Sequence, residues 1–333
     1  MRMGKQTWVF DSKPVILASS AVGGPFEGQG NLAEDFDILN EDIWLGQDSF
    51  EKAEKILQVQ AIEKVIEKAG LNKEDINILI SGDLINQIIS STFAARDLEL
   101  PYIGIYGACS TSMQGLALAA LMINCKAVDY AIAASSSHNA AAEKQYRYPT
   151  EYGTQKPPTA QWTVTGAGAV LLGQSGAGPK VTHATVGKVV DMGLTDPFNL
   201  GAAMAPAAVD TILTHFQDLN IQPSHYDLIA TGDLGNVGHT IASELLAQNN
   251  IDMTKTHFTD CGILIYKEDQ EVFAGASGCA SSATVTYGHF LNRMRRGELK
   301  RILIVATGAL LSPLSYQQKE TIPCIAHGVS IEM

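Results

Sequence analysis

The strongest constraint on the fold of this chain is that its second half repeats the first. The strand predicted at residues 76–80 opens into Ser-Gly-Asp-Leu-Ile-Asn, and the strand predicted at 228–230 opens into Thr-Gly-Asp-Leu-Gly-Asn. Further pairs follow in the same order along both halves: a glycine-rich turn with a buried helix (107–123 and 275–294), a strand (130–134 and 302–306) and a small-residue segment (164–170 and 325–329). Ordered repetition of this kind indicates duplication of one α/β unit.

The order and burial of these elements predict the fold class. Strands that alternate with helices indicate mostly parallel sheets covered by helices. Residues 114–123 are apolar on every side, and a helix without a polar face must be buried. We therefore expect helices between and outside two sheets, in a thiolase-like five-layered αβαβα fold from two duplicated halves. The halves are predicted at residues 1–176, with an insertion from Asn139 to Gln161, and at 177–333.

Cys109 lies where a predicted short buried strand, residues 101–106, turns into the apolar helix. A helix N-terminus directs backbone N–H groups and a partial positive charge at such a position. This placement is expected to lower the pKa of the thiol, and it also suits a carboxylate ligand. The alternative is a small apolar cysteine of the core, although the small residues around Cys109 leave room beside its sulfur.

Polar residues mark where helices and turns begin and end. Asp48 with Glu51 forms a pattern like a capping box at the start of an outer helix, and Gly70 suits its end. Asp83 and Asp233 occupy matching positions after the repeated strands. Two aspartates related in this way predict turn caps rather than calcium ligands.

Composition argues against several classes of protein. The chain has 333 residues and a net charge of −12 without a lysine or arginine run, which argues against nucleic-acid binding. Residues 1–13 lack the apolar segment of a signal peptide, and the apolar run 115–125 is too short to span a bilayer, so synthesis in the cytoplasm is expected. The five cysteines form no C-x-x-C pair, which suits a reducing compartment, and neither they nor the eight histidines predict a metal site.

A duplicated half with a cysteine at the start of its central helix resembles the thiolase and ketoacyl-synthase superfamily. The resemblance implies that Cys109 is the acyl-accepting nucleophile. It also implies a histidine at the position of Thr231, an asparagine or histidine near Ser277, and a second cysteine at the position of Thr307. Because hydroxyl groups do not exchange protons near neutral pH as imidazoles and thiols do, we expect this chain not to be an enzyme. The alternatives are a condensing or acyl-transfer enzyme that uses Cys109, and a scaffolding protein with a vestigial pocket.

Three segments give a narrower resemblance, to the stage V sporulation protein AD family of endospore-forming bacteria. They are residues 107–112, 136–140 with 147–153, and 306–313; residues 4–10 and 204–208 fit as well. The resemblance implies a binding protein for dipicolinic acid, pyridine-2,6-dicarboxylate, with calcium only as part of the ligand chelate and no other cofactor. It also implies that the protein is needed for uptake of this ligand into the developing spore.

The same resemblance implies partners and a location. The partners would be other membrane proteins of the stage V sporulation A operon, and the protein would lie peripherally at the spore inner membrane through them. Proteins with this fold generally pair as homodimers, so we expect two copies to join at the open edge of the 101–106 strand.

The predicted ligand contacts combine a cation, hydroxyl groups and a ring. Arg147 suits a bidentate clamp on a carboxylate, and Tyr146 or Tyr148 suits stacking on the ligand ring. His138 and Asn139 follow the strand 130–134, at the sheet edge where ligands of α/β proteins usually bind. The full predicted set is Cys109, Ser110, His138, Asn139, Arg147, Tyr148, Thr231, Ser277 and His327.

Some of these assignments have a simpler alternative. His138 would otherwise be a hydrogen-bonded core histidine. Arg147 would otherwise form a salt bridge with Glu143 or Glu151. Lys156 lies in a proline-rich loop and is expected to be solvated rather than bound to a ligand.

Overall fold

The structure of the protein is a computed structural model that describes residues 1–147 and 155–333. The strands within these residues are β1 (Arg2–Met3), β2 (Thr7–Val9), β3 (Val15–Gly23), β4 (Ile38–Leu39), β5 (Ile78–Gly82), β6 (Tyr102–Gly104), β7 (Tyr130–Ser137), β8 (Trp162–Thr163), β9 (Gly166–Gly173), β10 (Lys180–Thr185), β11 (Leu228–Thr231), β12 (His257–Asp260), β13 (Ala276–Ser277), β14 (Arg301–Ala309) and β15 (Cys324–Glu332). The α-helices are α1 (Phe50–Ala69), α2 (Ile89–Leu98), α3 (Thr111–Asn124), α4 (Asn139–Tyr146), α5 (Leu200–Leu219), α6 (Gly235–Gln248), α7 (Cys261–Leu264), α8 (Cys279–Thr284), α9 (Leu291–Arg295) and α10 (Pro313–Gln317). A π-helical segment, Val285–Phe290, joins α8 to α9.

The two halves form sheets of the same strand order, and the two sheets are connected through β3 and β10. The order is β3-β9-β7-β5-β6 in the first half and β10-β15-β14-β11-β12 in the second. Strand directions also agree, because β9 and β15 are antiparallel to both of their neighbours while the outer strands run parallel. The sheets join where Val15 of β3 meets Lys180 of β10. The predicted duplication of one α/β unit is therefore confirmed.

Among the described residues, the three largest apolar clusters lie between the layers. The central core lies between the sheets and includes Met113 and Leu116 of α3, Phe290 of the π-helical segment, and Ile304 of β14, all with no exposed surface. A second core joins α1 and α2 to the first sheet, and a third joins α5 and α6 to the second sheet. The layers thus run helix, sheet, helix, sheet, helix, which confirms the predicted five-layered αβαβα fold.

The outer helix α1 ends at the predicted residue, but its N-cap is Ser49, one residue after the predicted Asp48. Gly70 closes the helix in the left-handed conformation, with φ of 67°. At the start, Ser49 is the cap, because its hydroxyl accepts a hydrogen bond from the N–H of Lys52. The prediction that Asp48 is the cap was wrong, since Asp48 instead forms an exposed ion pair with Lys52 at 2.7 Å.

The strand before Cys109 is an edge strand rather than a buried one. β6 is the last strand of the first sheet, next to β5. Ile103 on β6 is 39% exposed, and Tyr106 just after it is 44% exposed. The prediction of a buried strand was wrong because apolar content alone does not tell a central strand from an edge strand. The separate expectation that the 101–106 strand has an open edge agrees with the structure, because β6 is the last strand of its sheet.

The link between the halves falls between β9 and β10. The domain boundary at residue 176 itself remains a prediction. Among the helices of residues 1–147 and 155–333, none is long and apolar enough to cross a membrane.

Candidate functional site

The turn that carries Cys109 is held together by its own side chains. The hydroxyl of Ser110 donates to the carbonyl of Gly107 at 2.6 Å, and the hydroxyl of Thr111 donates to the carbonyl of Ala108 at 2.6 Å. Ala108 takes the left-handed conformation, with φ of 49°. The N–H groups of Ser110 and Thr111 donate to the same two carbonyls. These two N–H groups are therefore already bonded within the turn, and carboxylate binding by this helix N-terminus stays a prediction.

Strand β14 passes so close to this turn that only glycine fits there. A Cβ atom added to Gly308 would lie 2.3 Å from the carbonyl oxygen of Gly107 and 3.2 Å from the N–H nitrogen of Cys109. The obstacle is backbone on both sides, so it cannot rotate away. Gly308 therefore allows the second half of the chain to support the Cys109 turn of the first half.

Replacing Gly308 with alanine is expected to lower the free energy of unfolding by about 1–3 kcal/mol or more, because overpacking forces backbone apart. Gly328→Ala on the neighbouring strand β15 is the matched control, since its Cβ would meet side chains at an ordinary 3.5 Å. Urea unfolding followed by circular dichroism measures both variants. Equal stabilities for the two variants would contradict the close approach at Gly308.

A pocket opens beside Cys109, with an empty volume of about 620 Å³ that includes its mouth. Its walls come from both halves and are mostly apolar. Cys109, Arg147 and Ser277 are the predicted contacts that line it. The described lining is Leu84, Tyr106, Ala108, Cys109, Ala142, Glu143, Tyr146, Arg147, Thr163, Pro197, Leu200, Ser277, Ala309 and Leu311.

A cluster of three charged residues lies at this pocket, and two of them, Glu143 and Arg147, line it. The carboxylate of Glu143 accepts from the guanidinium of Arg147 at 2.6 Å and from the ammonium of Lys156 at 2.8 Å, both at Oε1. The structure therefore shows the simpler alternative for Arg147, a salt bridge with Glu143. Arg147 also lines the pocket. The expectation that Lys156 is solvated was wrong, because its side chain is only 3% exposed. Burial lowers the pKa of Lys156, and the three charges sum to +1 when all are ionised.

Asp233 follows β11, and its buried carboxyl group is hydrogen-bonded to two other parts of the second half. Its Oδ1 accepts from the hydroxyl of Thr307 at 2.7 Å, and its Oδ2 accepts from the N–H of Gly278 at 3.2 Å. Burial raises the pKa of Asp233 to about 7.

The two aspartates of the repeat therefore differ in role. Asp83 caps its own turn, as predicted, by accepting from the N–H groups of Ile85 at 2.8 Å and Ser91 at 2.7 Å. The same prediction was wrong for Asp233, whose side chain accepts hydrogen bonds from Thr307 of β14 and from Gly278 at the start of α8. Sequence pattern could not separate them, because their local sequences are nearly the same.

The thiol of Cys109 is not activated by its helix. Burial raises its pKa well above the ordinary value, and the neighbouring Asp233 and Cys279 raise it further. The expectation of a lowered pKa was wrong, because desolvation and a nearby carboxylate outweigh the favourable field of the α3 N-terminus.

Two predicted contacts at the start of α4 are bonded elsewhere. His138 is buried; its Nε2 lies 2.9 Å from the carbonyl oxygen of Ile43, and its ring packs on Phe50. Asn139 donates through its side chain to the carbonyl of Thr163 at 3.3 Å. Neither lines the pocket as described, so their role in binding stays a prediction.

The other predicted contacts also lie outside the described lining. Ser110 is buried within the turn, and Thr231 donates to the carboxylate of Asp260 at 2.6 Å. Nδ1 of His327 accepts from the N–H of Gly187 at 3.3 Å. Tyr148 lies outside the residues that the structure describes. A binding role for these residues stays a prediction as well.

Several lining residues lie outside the full predicted set of ligand contacts. Tyr146, offered as a stacking residue, donates to the carbonyl of Leu84 at 2.6 Å and stands beside Tyr106. Tyr106 could have been found from its place just before the Cys109 turn. Pro197, Leu200 and Leu311 carry no local signal, because only the packing of the two halves brings them to the pocket.

Comparison with known proteins gives the family. Residues 4–332 match the family described as Stage V sporulation protein AD. The Stage V sporulation protein AD of Bacillus subtilis (strain 168) is 50% identical over 329 residues, which cover 99% of this chain and 97% of that protein.

Comparison with solved structures supports the fold. OleA from Xanthomonas campestris has a TM-score of 0.61 at 15% identity and covers 98% of this chain and 99% of its own. The 3-oxoacyl-[acyl-carrier-protein] synthase III of Aquifex aeolicus VF5 has a TM-score of 0.60 at 14% identity, over 96% of this chain and 100% of its own. Both neighbours are thiolase-like. The chain belongs to the Stage V sporulation protein AD family and has a thiolase-like fold.

Proposed function

We propose that the pocket beside Cys109 binds dipicolinic acid, free or as its calcium chelate, and does not catalyse a reaction on it. The protein would serve the uptake of this ligand into the developing spore. It would act with other membrane proteins of the stage V sporulation A operon, at the surface of the spore inner membrane. Membership in a sporulation family supports this role, and calcium enters only as part of the ligand.

The observation that carries the proposal is the charged wall of the pocket. Glu143 and Arg147 line a pocket whose other walls are mostly apolar. Together with Lys156, which pairs with Glu143 outside the described lining, they leave one positive charge in excess. A flat aromatic ring with two carboxylates matches this combination. One carboxylate would bind Arg147, because a guanidinium offers paired donors to a carboxylate. The ring would lie against Tyr146 and Leu84, which share this pocket.

The second carboxylate would point towards the Cys109 turn. The N–H groups of Ser110 and Thr111 are engaged there, so the anchoring donors would be hydroxyl groups. Ser277 and Tyr106 both line the pocket and carry such groups. A 2,4-dicarboxylate cannot reach both ends of the pocket in this way, so selectivity for the 2,6-isomer follows from the geometry of the anchors.

Three features support a binding protein rather than an enzyme. The pKa of Cys109 is raised, so little thiolate is present near neutral pH. The described pocket lining contains no histidine. Thr307 is engaged with Asp233 and offers a hydroxyl, which is a poor general acid or base. The alternative is a condensing or acyl-transfer enzyme that uses Cys109. The fold favours that alternative, and one solved OleA structure holds lauric acid and lauroyl-CoA.

Calorimetric titration with dipicolinate, its calcium chelate and pyridine-2,4-dicarboxylate tests the binding proposal. We expect binding of the 2,6-isomer and at least tenfold weaker binding of the 2,4-isomer. Intact mass after incubation with acetyl-CoA or malonyl-CoA tests the alternative, and we expect no adduct. A stoichiometric thioester that is lost in Cys109→Ala would favour the enzyme. Absence of both binding and acylation would favour a scaffolding protein.

We also propose that the protein is a homodimer that pairs along β6. This strand ends the first sheet, and Ile89, Phe93, Ile103 and Tyr106 around it are large apolar side chains that are about 40% exposed. An open, apolar edge of this kind otherwise invites non-specific pairing.

Light scattering at micromolar concentration is expected to give about twice the chain mass of 35.6 kDa. A charge at the centre of the edge should favour the monomer, so Ile103→Lys is expected to shift the mass towards one chain. Val189→Lys is the control, because Val189 is an equally apolar, exposed residue of the second half. A monomeric parent, or an Ile103→Lys dimer as stable as the parent, would contradict this pairing.

A further inference from the structure

We propose that Lys156 is a positioning residue that keeps the guanidinium of Arg147 available to an anionic ligand. Lys156 does so by holding Glu143 in a shared contact, so that this carboxylate does not close on Arg147 with both of its oxygens. The inference rests on the proposed function, because it says how the cation that lines that pocket stays open to a ligand carboxylate. Lys156 acts through Glu143, since its own side chain lies outside the described lining.

Glu143 makes one contact with each of the two cations, and both contacts use the same oxygen. Its Oε1 accepts from Nη1 of Arg147 at 2.6 Å and from Nζ of Lys156 at 2.8 Å. Among the residues that the structure describes, the buried Oε2 of Glu143 has no hydrogen-bond partner. A guanidinium and a carboxylate frequently pair through two parallel hydrogen bonds. The contact through one oxygen therefore leaves N–H groups of Arg147 that Glu143 does not use.

The backbone of α4 places Glu143 and Arg147 where a closer pair could form. They lie one helical turn apart, and the N–H of Arg147 donates to the carbonyl of Glu143 at 2.9 Å. Both side chains are mostly buried, and a buried carboxylate that loses one of its partners is left with uncompensated charge. Removing Lys156 is therefore expected to turn both oxygens of Glu143 towards Arg147.

Aromatic rings hold both cations in place. Nζ of Lys156 lies 4.7 Å from the centre of the Trp162 ring. The guanidinium carbon of Arg147 lies 5.7 Å from the centre of the Phe198 ring. A cation over a ring face is attracted by the ring quadrupole, and more strongly where water is excluded. Because Lys156 is almost fully buried, its ammonium is fixed beside Glu143 rather than dispersed in solvent.

This arrangement divides two tasks between the two cations. Arg147 lines the pocket and faces the ligand, whereas Lys156 balances the charge of Glu143 from behind. When a ligand carboxylate binds Arg147, Glu143 keeps Lys156 as its partner, so no buried carboxylate is left unpaired. Without Lys156, the ligand would have to displace Glu143 from Arg147 first, and its affinity would fall.

Labelling of arginine by butane-2,3-dione tests the proposal on the whole protein without any ligand. Each carbonyl carbon of the reagent bonds to one guanidinium nitrogen, the two N–H protons move to the new hydroxyl groups and nothing leaves. The rate therefore reports how accessible the guanidinium is. Peptide mass spectrometry follows Arg147, with the exposed Arg96 as the internal reference. We expect Lys156→Met, which keeps the apolar stem, to slow Arg147 at least fivefold relative to Arg96, and Glu143→Gln to speed it.

A double variant separates positioning from net charge. In Glu143→Gln/Lys156→Met the carboxylate that would close on Arg147 is absent, so Arg147 should label within about twofold of its rate in Glu143→Gln. Net charge alone predicts otherwise, because the loss of a neighbouring cation makes the guanidinium harder to deprotonate whichever residue stands at 143. Equal slowing by Lys156→Met in the two backgrounds, or no slowing in either, would overturn the proposal.

If Lys156→Met does not fold, the pH profile of the parent decides. Burial lowers the pKa of Lys156, so raising the pH removes the same charge without a substitution. The charged groups of the cluster that face Lys156 are Glu143 and Arg147. Glu143 then loses its second partner, so the ratio of Arg147 to Arg96 labelling should fall as the pH rises from 7.5 towards 10. A constant or rising ratio would contradict the role of Lys156.

Calorimetric titration with dipicolinate is a separate measurement. Lys156→Met should weaken binding at least tenfold in the parent, and by no more than about threefold in the Glu143→Gln background. A parent that binds no dipicolinate but labels as expected would refute only the proposed function. A parent that binds, with equal losses on Lys156→Met in the two backgrounds, would refute the positioning role and leave the proposed function standing.

Discussion

Replacing Arg147 with alanine is expected to weaken dipicolinate binding by about ten- to a hundredfold. A charged hydrogen bond to a buried anion is worth roughly 1.5–3 kcal/mol, and 1.4 kcal/mol corresponds to a factor of ten in affinity. The loss also removes the excess positive charge of the cluster at the pocket, because Glu143 and Lys156 alone sum to zero. Calorimetric titration measures the change, and circular dichroism checks the fold.

Two further variants make this prediction specific. Glu143→Gln releases Arg147 from its ion pair and raises the charge of the wall, so it should strengthen binding rather than weaken it. Arg96→Ala is the control, because Arg96 pairs with Asp97 on the surface and its removal changes the net charge equally. Parent-like binding by folded Arg147→Ala would place the ligand elsewhere. So would equal losses in Arg147→Ala and Arg96→Ala, since net charge alone would then explain the effect.

Replacing Cys109 with tryptophan is expected to abolish measurable dipicolinate binding, whereas Cys109→Ser should change affinity by less than about threefold. The indole would fill the space beside the turn that the ligand needs. Serine keeps the size of cysteine, and the proposed role of the sulfur is to line the pocket rather than to react. Because a difference of 1.4 kcal/mol is tenfold in affinity, calorimetry separates the two outcomes readily.

The serine variant also separates binding from catalysis. A nucleophile cannot be replaced by serine without a large loss of rate, while a lining residue can. If Cys109→Ser lost binding as completely as Cys109→Trp, the thiol itself would be required and the proposed non-reactive role would be wrong. A folded Cys109→Trp that still binds dipicolinate would place the site outside this pocket.

Two properties of the whole fold could be predicted from the sequence. Helix and strand periods, together with the repeated Gly-Asp-Leu-x-Asn segment, predict two copies of one α/β unit. The apolar helix α3 then requires a sheet on both sides, because no face of it tolerates water. Both predictions depend on local spacing and on burial summed over many residues. The structure confirms the five layers.

The site was predictable only in part. Cys109 follows from its place on the turn before α3, and Arg147 and Ser277 also line the pocket. His138 and Thr231 follow strands at the correct edge of the sheets, yet their side chains are hydrogen-bonded to Ile43 and Asp260 instead. The last residues of a strand lie at the end of the sheet, but the conformation of the turn that follows decides which side chain faces the cavity.

The amino-acid sequence by itself determined the duplicated αβαβα architecture, the position of the cysteine turn and the closing of α1 at Gly70. The tertiary structure alone decided which polar groups meet: Asp233 with Thr307 and Gly278, and a buried Lys156 with Glu143. Local sequence could not show these contacts, because each partner's pKa and orientation depend on burial and on groups brought from distant parts of the chain. Asp83 and Asp233 show this most directly, since nearly the same local sequence caps a turn in one half and bonds to β14 and the start of α8 in the other.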